Sequence, residues 1–203
     1  MKPKEFFDVW CRTTAEKRFT DKLLNTNQYW YNATAKTSLM ESEIYCELAN
    51  ELSYKYYVGY YHIDAVFYEE RDRVPDIPTH TTTLRRIRIA LEHENNFNRN
   101  LYVEFSHLLL TNCELRVLVA YPNDYDKDKK DVLTYLSKII STNPSVKVEN
   151  ESILLIFGVK EKTINNSWRF FWEGHEYKEM KWEIIEIKYP ENKYPIGILN
   201  DSL

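Results

Sequence analysis

Apolar positions recur at two different intervals along this chain, and each change of interval marks a change of predicted element. Over residues 4–24, Phe6, Phe7, Trp10, Cys11, Phe19, Leu23 and Leu24 keep a mostly helical spacing, broken at Thr13-Thr14. That spacing predicts one long helix or two short ones. Residues 25–37 are polar around Tyr29-Trp30-Tyr31 and read as a loop tucked onto the core by its rings. Ser38-Leu39-Met40-Glu41 has the form of a capping box, and Leu39, Ile44, Tyr45, Leu48 and Leu52 continue it as a helix to about Tyr56. Two short runs rich in β-branched and aromatic residues follow, at 60–68 and 87–95, and predict strands, the first of them open to a bend or a hairpin start in the Tyr-rich stretch 54–61. The loop between them, 69–84, carries Pro75 and Pro78 and is too long for a tight turn. Residues 98–112 place Leu101, Phe105, Leu108 and Leu109 on one helical face, and 115–121 are apolar on both faces, as a central strand requires. Strand, helix and buried strand predict a right-handed crossover with the two strands parallel. A charged loop at 122–130, an amphipathic helix at 131–140 and strand-like segments at 153–159, 168–172 and 177–187 complete the chain, with Gly174 predicted as a turn.

The expected fold class is therefore α/β with an α+β edge: a central mixed sheet flanked by helices and a β-rich C-terminal extension. A length of 203 residues suits one domain, with a core at about 39–121 and a C-terminal helix and strands over 128–190. The 43% hydrophobic and 29% charged residues are those of an ordinary globular chain. Cys11, Cys46 and Cys113 show no CxxC spacing and read as reduced core thiols of a cytoplasmic protein. No apolar run reaches the length of a membrane span, and the first residues lack the apolar stretch of a signal peptide.

Chemistry concentrates on the paired strands. Side chains alternate along a strand, so Glu92 and Glu94 share one face while His93 looks to the other, towards core. If the strands are neighbours, Asp64 faces the same space. Three carboxylates at the end of an apolar sheet raise one another's pKa, and a bound cation relieves that repulsion. An Asp and two Glu suit a hard ion, Mg2+ or Mn2+. His62 lies two residues from Asp64 and is a candidate auxiliary group. No phosphate-cradling glycine loop, GxSxG elbow or HExxH pair is present.

The succession of Asp64 on one strand, Ala90-Leu91-Glu92-His93-Glu94-Asn95 on the next, a helix, and Leu115-Arg116-Val117-Leu118-Val119-Ala120-Tyr121 resembles the core of the PD-(D/E)XK nuclease superfamily, the restriction-endonuclease-like fold. The resemblance implies a metal-dependent phosphodiesterase acting on DNA, with Asp64 and Glu92 as metal ligands. Glu94 takes the slot usually held by Lys, a departure shared with some restriction endonucleases. An acidic residue on the preceding helix is often aimed at the metal, which makes Glu47 a further candidate ligand. Arg85, Arg86, Arg88 and Arg99 bracket the carboxylates in sequence and are expected to meet a phosphate backbone. A net charge of −4 argues against a general nucleic-acid coat protein. Together with the missing Lys it keeps open an alternative: a degenerate nuclease-fold protein that binds a protein or nucleic-acid partner without cleaving it. Pairing with a second copy is also left open.

Overall fold

Strands β1 (Lys55–Tyr60), β2 (Ile63–Tyr68), β3 (Ile87–Glu94), β4 (Cys113–Ala120), β5 (Ser152–Lys162), β6 (Trp168–Lys178) and β7 (Lys181–Lys188) form one sheet in that spatial order. β1–β2–β3 are antiparallel, β3–β4–β5 parallel, and β5–β6–β7 antiparallel again. The computed structural model describes residues 1–16, 19, 34–77, 82–94, 99–122, 124–143, 152–162 and 168–189. The result is the mixed sheet flanked by helices that the periodicities predict.

Helices α1 (Pro3–Thr14) and α2 (Thr34–Leu52) cover one face, and α3 (Arg99–Leu110) and α4 (Tyr125–Thr142) the other. Phe6, Phe7 and Trp10 of α1 and Ile44, Tyr45 and Leu48 of α2 pack with Phe67, Ile89, Leu91 and Val117. Leu101, Phe105 and Leu108 of α3 and Val132, Leu136 and Ile140 of α4 pack with Val66, Ala90, Leu118 and Phe157. Both parallel steps advance the same way across the sheet. Crossovers of one hand therefore put α3 and α4 on the same face. β4 is apolar on both faces except for Glu114 at its start and Arg116, which is buried beneath the end of α3.

Several expectations are corrected. The run 60–68 is not one strand: Tyr60 ends β1, and Ile63–Tyr68 is the returning arm of a hairpin. Tyr61 and His62 form its turn at φ 51° and 69°, the left-handed conformation that two-residue hairpin loops demand. Lys127-Asp128-Lys129-Lys130 lies inside α4, because Asp124 caps the helix by accepting the Lys127 N–H at 3.4 Å, and Asp126 and Asp128 suit its first turn. Ser38 falls within α2, which starts at Thr34, so it is no N-cap. The aromatic segment Tyr29-Trp30-Tyr31 lies outside the described residues.

Gly174 is not a turn. It sits inside β6, and the turn comes at Glu179 and Met180, both with positive φ. A Cβ on Gly174 would stand 2.9 Å from the Phe7 ring, so the glycine is where α1 comes closest to the sheet. Gly174→Ala is expected to destabilise the fold by about 1–3 kcal/mol through overpacking, read as a lower urea midpoint at unchanged m-value. Combining it with Phe7→Leu should recover part of the loss, and a full loss in the double variant would contradict the contact.

Candidate metal centre

Asp64 and Glu92 are opposed across the β2–β3 ladder, one step beyond the Ala65–Leu91 pair. The Asp64 N–H donates to Glu92 Oε2 at 3.3 Å, and the His93 N–H donates to Asp64 Oδ2 at 2.8 Å. Both carboxylates lie on the α3 side, with Val66 and Ala90 as their neighbours on that face. Crossover helix α3 runs back over β3 and brings Glu104 and His107, one helical turn apart, above them. One ligand atom each from Glu92, Glu104 and His107 lies within 4.8 Å of the others. Glu104 Oε2 and His107 Nδ1 are 3.1 Å apart.

The floor of this site is Glu92, at 1% exposure, and its Oε1 has no hydrogen-bond partner among the described residues. Burial, then the charge of Asp64 and a hydrogen bond with it, push the Glu92 carboxyl up to about 10. Burial also raises Asp64, although the His93 N–H pulls it back. The mouth is more open: the Glu104 side chain is 29% exposed and that of His107 42%. Among the described residues, the ion pair of Glu104 with His107 is the only one made by Asp64, Glu92 or Glu104. Carboxylates and one imidazole around an orphaned buried oxygen are a donor set that fits a divalent cation.

The other predicted residues are distributed differently. Glu94 shares the face of Glu92 and is half-buried, one pleat or about 7 Å further along the strand. Glu47 does not join the site: its helix packs on the opposite face of the sheet, so the sheet itself separates it from Glu92. His62 is in the exposed turn rather than on a strand face with Asp64. His93 faces core as expected, with its Nε2 2.6 Å from the Tyr121 hydroxyl and its ring edge-on to Trp10. Burial lowers it to about 3, so it is neutral.

The arginines do not line the carboxylates. Arg88 is buried at the other end of β3, about 13 Å from Glu92 at strand spacing, and bonds Asp72 at 2.7 and 3.0 Å and Glu114 at 2.8 Å. Arg86 pairs with Glu114 at 2.5 Å, and Arg85 Nε donates to the Arg71 carbonyl at 3.0 Å. The side chain of Arg99 lies outside the described residues.

Comparison with family models, curated proteins and solved structures finds no match. The site is therefore read from its own chemistry.

Sequence reasoning passed over Glu104 and His107. The signal was present as Glu104-Phe105-Ser106-His107, an acid and an imidazole at helical i, i+3 spacing beside the apolar face of Leu101, Phe105 and Leu108. It also passed over a second buried carboxylate on the same sheet face, Glu173. Burial pushes Glu173 up, but bonds from His175, Lys129 and Tyr125 outweigh that and hold it at about 2. Lys129 Nζ approaches it at 2.6 Å.

In the metal-free protein, folding favours the neutral form of Glu92. Its stabilising contribution is full below the unfolded pKa of about 4.3 and is lost as pH rises through about 10. Glu92→Gln mimics the neutral acid at every pH. In EDTA at pH 9 it should melt at least about 3 °C above the parent, on the order of 1 kcal/mol, and the gap should close towards pH 5. Thermal melts across that range test this, and a gap independent of pH would refute it.

Proposed function

We propose that the chain is a metal-dependent phosphodiesterase of the endonuclease type, acting on DNA. The observation that carries this reading is the meeting of Asp64 and Glu92 on one face, with an orphaned Glu92 oxygen beneath Glu104 and His107. The order of the elements supports it. The two acidic strands are neighbours, and a crossover helix leads to a parallel strand, the arrangement implied by the resemblance to PD-(D/E)XK nucleases. The carboxylates also stand towards the C-terminal end of β3, where parallel strands of open α/β sheets place their ligands.

Glu92, Glu104 and His107 would hold the ion, and Asp64 fixes Glu92 from the neighbouring strand. A divalent ion supplies Lewis acidity to a phosphoryl oxygen and makes water a better nucleophile. Glu94, on the same face and half-buried, would accept the proton of the attacking water in the slot where a Lys is usual. No helix among the described residues is long and apolar enough to cross a membrane. The reduced thiols accord with a cytoplasmic setting.

Supercoiled and single-stranded DNA incubated with the protein and Mg2+ or Mn2+ should be nicked, and EDTA should stop the reaction. Asp64→Ala and Glu92→Gln should each lower the rate at least about 100-fold, or roughly 2.7 kcal/mol of barrier, with circular dichroism unchanged. Equal cleavage by parent and variants would show the activity to be a contaminant.

The ion pairs of Arg86 and Arg88 favour a second reading, a non-cleaving binder of a protein or nucleic-acid partner. These cations are already engaged with Asp72 and Glu114 and are not free to meet a phosphate backbone. DNA neither cleaved under any divalent ion nor retained in a gel-shift assay would select the protein-binding form of this reading, and retention without cleavage the nucleic-acid-binding form.

A further inference from the structure

The ligand set contains an atom that magnesium does not favour. His107 extends from the last turns of α3 over Glu92, and its ligand atom lies within 4.8 Å of those of both Glu92 and Glu104. Mg2+ prefers oxygen ligands in a strict octahedron and retains several waters, whereas imidazole suits first-row transition ions. The turn that carries His107 is held firmly. Thr111 Oγ1 donates to the His107 carbonyl at 2.9 Å, and Arg116 donates through Nε to the Leu108 carbonyl at 2.8 Å and through Nη2 to the Thr111 carbonyl at 2.6 Å. The imidazole is thus presented by a backbone fixed from below, and an ion entering past half-exposed Glu104 and His107 meets the orphaned oxygen of Glu92. A site that held its cation through carboxylates and water alone would have no use for the nitrogen.

We propose that this centre takes a divalent first-row transition ion in preference to magnesium, with His107 as the residue that makes the choice and Mn2+ as the probe. The inference rests on the reading of Glu92, Glu104 and His107 as the metal site of the proposed hydrolase, and it concerns binding rather than turnover. Glu92 and Glu104 supply the charge that holds any divalent ion. His107 supplies the difference between ions.

The test uses the full chain stripped with EDTA and dialysed, titrated calorimetrically with MnCl2 and with MgCl2, together with pulsed electron paramagnetic resonance of bound Mn2+. The parent should bind Mn2+ at one site at least about tenfold more tightly than Mg2+ and show nitrogen coupling from one imidazole. His107→Ala should weaken Mn2+ on the order of 10–100-fold, leave Mg2+ little changed and abolish the coupling. His107→Gln, which keeps a polar side chain at this half-exposed position, should behave as the alanine variant does and guards against a folding defect. Equal affinity for both ions, or a parent spectrum without nitrogen coupling, overturns the inference. DNA cleavage assays separate the two claims. Manganese selectivity without cleavage leaves this inference standing and removes the nuclease reading, while cleavage supported equally by both ions, with no nitrogen coupling, does the reverse.

Discussion

Arg116 joins the two halves of the structure on which the site depends. It is a charged residue at 2% exposure in the central strand, and such a group is tolerated only where its charge and donors are met. Here Nε and Nη2 are met by backbone. The carbonyls at the end of α3 carry the negative pole of the helix and lack partners within it, and the guanidinium takes two of them. One interaction therefore accounts for a buried cation and a closed helix terminus together. It also ties the C-terminal end of α3 to β4, the strand beside the one that carries Glu92.

The sheet treats its buried carboxylates in opposite ways. Asp72 is gripped by the Arg88 guanidinium and held below the usual carboxylate range, and Glu173 is met by Lys129, Tyr125 and His175. Both are compensated by protein groups and behave as structural anions. Glu92 is as buried as Glu173, yet its neighbours are Asp64 and Glu104, which press it towards the protonated state. This chain can supply a cation to a buried acid and, among the described residues, does so at Asp72 and Glu173. At Glu92 the compensation falls to a proton or to an ion from solution.

Much of this was legible in the sequence. Period-two alternation put Glu92 and Glu94 on one face and sent His93 to the core, and the apolar run after α3 announced a parallel strand. The failures have local causes. Arg85, Arg86 and Arg88 are near Glu92 in sequence, but an extended chain carries each residue about 3.3 Å further away, so nearness along a strand is not nearness in space. Gly174 reads as punctuation because glycine permits turns, whereas here it permits contact with Phe7. The hairpin turn at Tyr61 and His62 contains none of the Asn or Gly that usually mark such turns. Glu104 and His107 belong to a helix whose distance from β3 is set by long-range packing, and their spacing alone does not distinguish a solvated flank from a ligand pair.

The contact between Phe7 and Gly174 bears on how the chain is made. Every strand pairs with its neighbour in sequence, so the sheet can grow by short steps as residues emerge. Helix α1 is the exception. Phe6 and Trp10 meet Phe67 of β2 and His93 of β3, and Arg12 pairs with Glu51 of α2, but the Phe7 contact with β6 and the pairs of Lys4 with Glu186 and Lys188 with Asp8 reach to the far end of the described chain. At ribosomal speed that end follows on the order of ten seconds later or more. Within the described chain, α1 can therefore settle on α2 and the early strands through Phe6 and Trp10, while its contact at Gly174 waits for β6 to be made.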